Sequence, residues 1–223
     1  RRVQRVNRVV EPLSGTRPDG VIMVDIMNRM GMDQAPYDAA GVLEEVADIV
    51  PFFKGITWDR LGKDGLQWPV AEDGTDTAIL HTETFKRGRG RFHHFEFEES
   101  RELLSNSKDF PLVLTTGREL EHYNCGTMTR RTPNNDLLTE DTLLVHPEDA
   151  ATRGITNGDS VRLFSKRGDA ILNARLTEDV NPGVLYTTFH FPEMLVNMIT
   201  SEVMDAESMC PEYKVTAVEL AKA

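Results

Sequence analysis

The second half of the chain is a series of short β-type segments separated by turn sequences. The segments, rich in Val, Leu, Ile, Thr and Phe, are residues 111–116, 143–145, 160–164, 170–176 and 184–191. The turns between them include Asn157-Gly158, Arg167-Gly168-Asp169 and Asn181-Pro182-Gly183. Short strands at a spacing of about 8–12 residues, with such turns between them, are typical of a small β-barrel or sandwich. A helical turn is predicted to begin at His146-Pro147, because proline is favoured in the first turn of a helix.

The first half of the chain has an α/β-like pattern. Apolar residues at helical spacing predict helices over residues 1–10, 19–30 and 38–50, with Asp38 capping the third. Val21, Ile22, Ile26 and Met30 would form the buried face of the second helix. Alternating apolar and polar residues predict a strand over residues 91–97. The pattern changes within residues 100–109, so we expect one domain over residues 1–105 and a second over residues 106–223.

Residues 65–83 form a long polar connection in which only Trp68, Ile79 and Leu80 look buried. A connection of this length in a compact domain usually has a function or packs against another element.

Charge and hydropathy exclude some classes of protein. The net charge of −11 disfavours nucleic-acid binding, which needs a basic face to neutralise phosphates. No apolar run approaches the ~20 residues that cross a bilayer, so we expect no direct membrane insertion.

The chain begins Arg1-Arg2 without methionine, which suggests a processed chain or a piece of a longer one. We expect a cytoplasmic protein, or a periplasmic one if an export sequence precedes the chain.

Two cysteines, Cys125 and Cys210, are too few for a disulfide framework or a cysteine-ligated iron–sulfur cluster, and they favour a reducing compartment. The pair His93-His94 suggests a metal site at first sight. Adjacent residues of a strand point to opposite faces of the sheet, so these two cannot easily share a metal ion. No metal ligand is predicted in this chain.

Residues 111–131 combine a β-type run with a glycine break and a polar loop. The run ends at Gly117, and Arg, Glu, His, Tyr, Asn and Thr side chains follow it. Glycine allows close approach of a backbone, and free N–H groups together with Arg and Thr can receive phosphates. Two interpretations stay open on this pattern alone: a site for a polar ligand, or an ordinary strand followed by a surface loop.

The order of several motifs resembles one family. The motifs in the second half are LTTGRELEHYNCGTMTRR, VHPEDAATRGITNGDSVRLFSKRGDA and FHFPEMLVNMITSEVMDAESMCPEYKVTAVEL, and those in the first half are RRVQRV, GLQWP, ILHTE and FKRGRGRFHHFEF. In this order the chain resembles the C-terminal part of the molybdopterin oxidoreductases (the dimethyl sulfoxide reductase superfamily), and within them the formate dehydrogenase catalytic (alpha) subunit. The resemblance implies a double-psi β-barrel for residues 106–223, binding the pterin guanine dinucleotides that chelate Mo or W. Residues 1–105 would be the tail of the family's Rossmann-like third domain.

The resemblance also implies which residues contact the bis-molybdopterin guanine dinucleotide. The expected contacts come from the glycine-broken loop and from two later segments: Thr115, Thr116, Gly117, Arg118, Glu119, His122, Tyr123, Thr127, Met128, His190, Asn197, Tyr213 and Lys214. Arg118 would pair with a phosphate or hydrogen-bond the pterin. Tyr213 and Lys214 would offer a ring edge and a cation.

Other parts of the family pattern are missing from this chain. The four-cysteine iron–sulfur motif, the Cys or selenocysteine that ligates the metal and the catalytic His and Arg lie upstream in family members. The chain alone is therefore expected to be inactive, without catalytic residues of its own. It would need an N-terminal formate dehydrogenase chain or domain holding the cluster, and iron–sulfur or diaphorase subunits to carry electrons away. The alternatives are a stand-alone pterin-dinucleotide-binding module and the same domain of a sister enzyme such as nitrate reductase.

Overall fold

The computed structural model describes residues 1–223 as two compact units, Arg1–His93 and His94–Ala223. No helix in either unit is both long and apolar enough to cross a membrane. The division at residue 93 follows from contacts within each unit. The predicted boundary between residues 105 and 106 rests on the change of sequence pattern within residues 100–109 and stays a prediction.

The first unit contains two helices, one pair of very short strands and much irregular chain. Its elements in chain order are β1 (Arg2–Val3), α1 (Asp19–Arg29), α2 (Ala39–Ile49), a 3-10 turn (Pro51–Phe53) and β2 (Leu66–Gln67). β1 and β2 pair antiparallel, with Val3 opposite Leu66. A small core of Ile56, Leu61 and Val70 lies close to this pair and packs against two tryptophans.

Both predicted helices beyond residue 18 are confirmed. α2 begins where expected, because the Asp38 carboxylate accepts hydrogen bonds from the backbone N–H groups of Ala40 and Gly41 and so satisfies two free helix donors. The predicted apolar face of α1 is wrong, since no residue of this helix is buried. Local spacing locates a helix but does not tell what covers its apolar side.

Three other predictions for the first hundred residues are wrong. Residues 1–10 are not helical: the Arg1 guanidinium bonds the carbonyls of Trp68, Thr77 and Ala78 and holds this end extended. Residues 91–97 form no strand, because no other strand pairs with this segment. Of the residues predicted to be buried in the 65–83 connection, Ile79 is also exposed.

The second unit is built on a closed barrel of six strands, the kind of fold that the family resemblance implies. Its helices are α3 (Arg101–Asn106), α4 (Asn134–Leu137) and α5 (Pro147–Thr152). Its strands are β3 (Leu112–Thr116), β4 (Thr142–Val145), β5 (Ser160–Phe164), β6 (Asp169–Leu176), β7 (Val184–Thr187) and β8 (Thr216–Lys222). Three 3-10 turns span Thr129–Arg131, Pro192–Met194 and Val196–Met198.

The strand order around the barrel is β3-β7-β4-β6-β5-β8, closing between β8 and β3. β3 and β7 are parallel, as are β4 and β6, and the other pairs are antiparallel. Alternate residues of each strand point inwards. These inward residues include Leu114, Leu143, Leu163, Leu185 and Val218, all fully buried in one core.

The predicted strand over residues 184–191 ends early, at Thr187. The backbone N–H groups of His190 and Phe191 bond the Asp141 carboxylate instead of a neighbouring strand. The chain therefore leaves the sheet four residues before the apolar pattern ends.

Strand direction brings three connections to one end of the barrel. β3, β5 and β7 finish at this end, and β4, β6 and β8 start there. The connections are residues 117–141, 165–168 and 188–215. We refer to this end as the loop end; α5 and the 177–183 connection lie at the opposite end.

Candidate functional site

All of the residues expected to contact the cofactor lie at the loop end. Thr115 and Thr116 close β3, and Gly117 to Met128 belong to the loop that follows, here termed the 117–128 loop. His190 and Asn197 come after β7, while Tyr213 and Lys214 directly precede β8. The β3–β8 register ends with Leu114 opposite Thr216, which directs Lys214 towards the end of β3.

Side-chain contacts join only some of these residues. His190 hydrogen-bonds the 117–128 loop and lies against the ring of His122, and Arg118 lies against Tyr123. Asn197, Tyr213 and Lys214 make no hydrogen bond to the loop. They share the end of the barrel with it on separate segments.

Gly117 is required by the wall of the barrel. A Cβ at this position would lie 2.3 Å from the Tyr186 hydroxyl oxygen. That hydroxyl donates to the Arg118 carbonyl at 3.2 Å, and the Gly117 N–H donates to the Thr187 carbonyl at 3.1 Å. Burial and, secondarily, the Glu119 carboxylate raise the pKa of Tyr186, which keeps its proton on the hydroxyl for this bond. Glycine therefore fixes where the loop leaves β3, a cause that the sequence pattern did not reveal.

The loop end presents cations without acidic partners, although the whole chain is strongly acidic. Arg118, Arg131 and Lys214 are exposed, and none of the three takes part in an ion pair. The Arg118 guanidinium carbon lies 5.5 Å from the centre of the Tyr123 ring, a cation–π distance that leaves its N–H donors free. An exposed arginine held over an aromatic ring can receive a phosphate or a ring carbonyl.

Two further arginines, Arg130 and Arg131, line a cavity of about 300 Å³ beside the loop. Its lining includes Cys125, Gly126, Thr127, Arg130 and Arg131. The Arg130 guanidinium is committed to a two-pronged ion pair with Glu193, at 3.0 and 2.8 Å. Arg131 is therefore the cation of this cavity that stays available to an anion.

His122 is buried with both ring nitrogens in use. Nε2 lies 2.8 Å from the Leu138 carbonyl, and Nδ1 lies 2.9 Å from the Thr129 hydroxyl. Because a carbonyl only accepts, Nε2 carries the proton. The contact of His122 with the cofactor stays a prediction. In the structure, the two hydrogen bonds of its ring tie the 117–128 loop to the segment that precedes β4.

Asp141 is the site residue that the sequence did not reveal. It is fully buried, and its carboxylate accepts hydrogen bonds from the Thr188 hydroxyl and from the backbone N–H groups of His190 (3.0 Å) and Phe191 (2.9 Å). No cation lies within ion-pair distance, so these three donors compensate the charge. An aspartate before a β-type run carries no pattern that would predict this role.

A second buried carboxylate, Glu102 of α3, lies beside the β5–β6 turn of the loop end. The Arg167 guanidinium binds it through two bonds of 2.6 and 3.2 Å, and the Ala217 N–H and the Ser201 hydroxyl add two more. Burial alone would raise the pKa of Glu102, but the Arg167 and Ala217 bonds hold it below its ordinary value. The pair fixes α3 and the β5–β6 turn to the start of β8.

Thr116 is the one buried side chain whose polar atom has no hydrogen-bond partner. An unpaired buried hydroxyl costs about 1–3 kcal/mol, so Thr116→Val should stabilise the chain by about 1 kcal/mol in urea denaturation. The matched control is Thr187→Val, because the Thr187 hydroxyl, opposite Thr116 in the register, donates to the Thr142 carbonyl at 2.8 Å. That variant should lose stability. Equal losses in both variants would show that the Thr116 hydroxyl is bonded in the free chain.

Comparison with known proteins identifies this barrel. Residues 112–217 match the family described as the molydopterin dinucleotide binding domain. The chain is 38% identical over its whole length to the F420-dependent formate dehydrogenase 2 subunit alpha of Methanococcus maripaludis. It is 37% identical over 99% of its length to the corresponding subunit of Methanocaldococcus jannaschii, and 32% identical to a putative formate dehydrogenase of Staphylococcus aureus.

A solved structure shows the same fold. Acetylene hydratase from Pelobacter acetylenicus superposes on 97% of the chain with a TM-score of 0.60 at 16% sequence identity, covering 34% of that protein. The barrel is thus a molybdopterin dinucleotide-binding domain. The chain spans about a third of the length of the methanococcal subunits it matches.

Proposed function

We propose that the chain is the C-terminal, cofactor-binding portion of a formate dehydrogenase alpha subunit. The observation that carries this proposal is the similarity to such subunits along the entire chain. The loop end supports it, because exposed Arg118, Arg131 and Lys214 suit a ligand that carries phosphates and donor-rich rings. Formate oxidation to CO2, or the reverse, would take place in the complete enzyme.

The finer architecture belongs to the same proposal. The barrel, with its two parallel strand pairs, is of the double-psi type, and residues 1–105 are the tail of the Rossmann-like third domain. The upstream part of the alpha subunit would supply the metal ligand, the catalytic His and Arg and the iron–sulfur cluster. Partner subunits would carry the electrons away, in the cytoplasm.

The residues of the loop end fit the expected group in three respects. Their unpaired cations match its phosphates, the Thr116 hydroxyl lacks a partner, and the cavity beside Arg131 is open to an anion. When bound, the pterin-held Mo or W supplies the two-electron chemistry. The chain's own residues would bind and orient this group: Arg118 would receive a phosphate or pterin oxygen, and Tyr213 and Lys214 would contact the same group from the segment before β8.

The substitution Arg118→Ala tests this role. The alpha subunit carrying it should retain its guanine dinucleotide about ten- to a hundredfold less tightly, the loss of one or two charge-assisted hydrogen bonds. The measurement is guanine nucleotide and metal content after gel filtration. Arg175→Ala, an exposed arginine on the outer face of β6, is the matched control and should retain both. If Arg118→Ala instead unfolds the barrel, the residue is structural.

The reaction itself is tested on the complete enzyme. Formate-dependent reduction of a viologen dye is the expected activity, with nitrate as the alternative substrate. Turnover of nitrate without formate oxidation would assign the chain to a sister oxidoreductase. Nucleotide binding by the chain alone, with no association to an upstream portion, would assign it to a stand-alone module.

A further inference from the structure

We propose that His190 is a positioning residue that locks the 117–128 loop in its binding shape. The inference rests on the proposed function, since it concerns how the chain presents its cofactor contacts. His190 is fully buried and lies after β7, outside the loop that it holds. Its imidazole bonds the loop at two points five residues apart: the Glu119 N–H, 3.0 Å from Nε2, and the Asn124 carbonyl, beside Nδ1.

These two partners define one protonation state of the ring. The Asn124 carbonyl can only accept, so Nδ1 must carry a proton and donate it. The Glu119 N–H can only donate, so Nε2 must be unprotonated and accept. Neutral imidazole with its proton on Nδ1 is therefore the form that holds the loop, and neither nitrogen is free to bond a cofactor.

The loop needs such a hold because its backbone is irregular. Asn124 has φ of +50° and Gly126 has φ of +68°, left-handed conformations that L-residues rarely adopt. A Cβ at Gly126 would lie 2.8 Å from the His190 carbonyl oxygen, so the loop crosses the His190 backbone closely. An isolated loop with this conformation would relax, and contacts from outside it must keep its shape.

His190 is in turn bonded to the barrel. Its own backbone N–H donates to the buried Asp141 carboxylate, which directly precedes β4. Its ring packs against that of His122, with centroids 5.7 Å apart. The loop's inward groups are thus bonded to a fixed scaffold, and Arg118, Leu120 and Tyr123 are left exposed on its outer side. His190 therefore affects cofactor binding by holding this outer face in shape, and does not touch the cofactor itself.

Two substitutions separate the two bonds of the ring. Asn places an amide group near the position of Nδ1 and can keep the bond to Asn124, whereas Gln reaches the position of Nε2 and can accept from Glu119. Amide hydrogen exchange, measured by NMR on the 223-residue chain, reports the Glu119 bond directly. In His190→Asn the Glu119 amide should exchange about tenfold faster or more, and in His190→Gln it should stay within about threefold of the original rate.

The matched control is His146→Gln at the opposite end of the barrel. Nδ1 of His146 also accepts a backbone N–H, from Glu148 at 3.2 Å. This variant should speed exchange of the Glu148 amide and leave Glu119 unchanged. If Glu119 exchanges at the same rate in His190→Asn as in the unaltered chain, the lock does not exist. If His190→Asn fails to fold, protection of Glu119 in His190→Gln decides alone, and its loss overturns the assignment of Nε2 as acceptor.

Cofactor content of the complete alpha subunit gives the second measurement. His190→Asn should lower guanine nucleotide retention about fivefold or more, with a smaller loss in His190→Gln and none in His146→Gln. Normal retention in His190→Asn beside reduced retention in Arg118→Ala would overturn the positioning role and leave the proposed function intact. Absence of guanine nucleotide from every form, including the unaltered enzyme, would refute the proposed function instead, and the exchange rates would still decide whether His190 locks the loop.

Discussion

Arg167→Met is expected to lower the free energy of unfolding of the chain by about 3–5 kcal/mol, the cost of leaving a buried charge without its partner. The Glu102 side chain is 1% exposed and that of Arg167 is 15% exposed. Without the guanidinium, only the Ser201 hydroxyl and the Ala217 N–H would still bond the carboxylate. Methionine fills a similar volume, so lost packing contributes little to the effect.

Urea denaturation of three variants measures this effect. Arg162→Met is the matched control, because the ion pair of Arg162 with Asp169 lies on the same barrel but is about half exposed on both sides. It should cost about 1 kcal/mol or less. The double variant Glu102→Leu with Arg167→Met should be more stable than Arg167→Met alone, since no unpaired charge remains. Equal losses in Arg162→Met and Arg167→Met would show that burial does not strengthen the Glu102 pair.

The same pair gives a pH dependence with a definite sign. Because the pKa of Glu102 is lowered from 4.5 in the folded chain, the stabilisation is fully present above the unfolded value. It is lost as the pH falls through the folded pKa. In Arg167→Met the buried Glu102 carboxylate has no cationic partner, and protonation removes its unpaired charge. The difference in free energy of unfolding between the unaltered chain and Arg167→Met should therefore shrink between pH 7 and pH 4. A constant difference would contradict the stabilising role assigned to the Glu102–Arg167 pair.

Local sequence was sufficient for most of the barrel. The turns at Asn157-Gly158 and Asn181-Pro182-Gly183 and the alternation in β5 and β6 locate strands without knowledge of their partners. The closure of β8 on β3, across about a hundred residues, has no local sequence cause, and here the resemblance to a family supplied what the pattern could not. The same holds for the parallel pairs, which depend on long crossover connections.

The two wrong predictions of secondary structure, a helix over residues 1–10 and a strand over residues 91–97, have one physical cause. Residues 1–10 have helical spacing, yet Arg1 finds carbonyl partners more than sixty residues away. Residues 91–97 alternate like a strand but have no strand to pair with. Tertiary partners decide such marginal segments, because local preference contributes only a few tenths of a kcal/mol per residue.

Prediction of the site was limited in a different way. The residues expected from the family pattern all lie at the loop end, and their contact with the cofactor stays a prediction. Their division into inner and outer groups did not follow from the sequence: His122 and His190 are buried with every ring nitrogen bonded, whereas Arg118 and Tyr123 face outwards. A sequence shows which residue types are present, but the direction of each side chain depends on barrel closure.

Asp141→Asn is the second substitution with a large expected effect, a loss of about 2–4 kcal/mol. The carboxylate uses both oxygens: Oδ1 accepts from the Thr188 hydroxyl and the His190 N–H, and Oδ2 accepts from the Phe191 N–H. Asparagine has one oxygen, so its NH2 group would face at least one of these donors. A buried backbone donor left unpaired costs about 1–3 kcal/mol, and the lost bonds to a charged acceptor add to it.

Asp179→Asn is the matched control, because Asp179 also accepts from a threonine hydroxyl, that of Thr177 at 2.8 Å, but is exposed. It should cost less than about 0.5 kcal/mol in the same urea titration. Because Asp141 holds the backbone of His190, Asp141→Asn should also speed exchange of the Glu119 amide, although the two residues do not touch. A large loss of stability with unchanged Glu119 exchange would show that Asp141 supports the barrel alone. Loss of both stability and Glu119 protection would show that Asp141 also supports the contacts that shape the 117–128 loop.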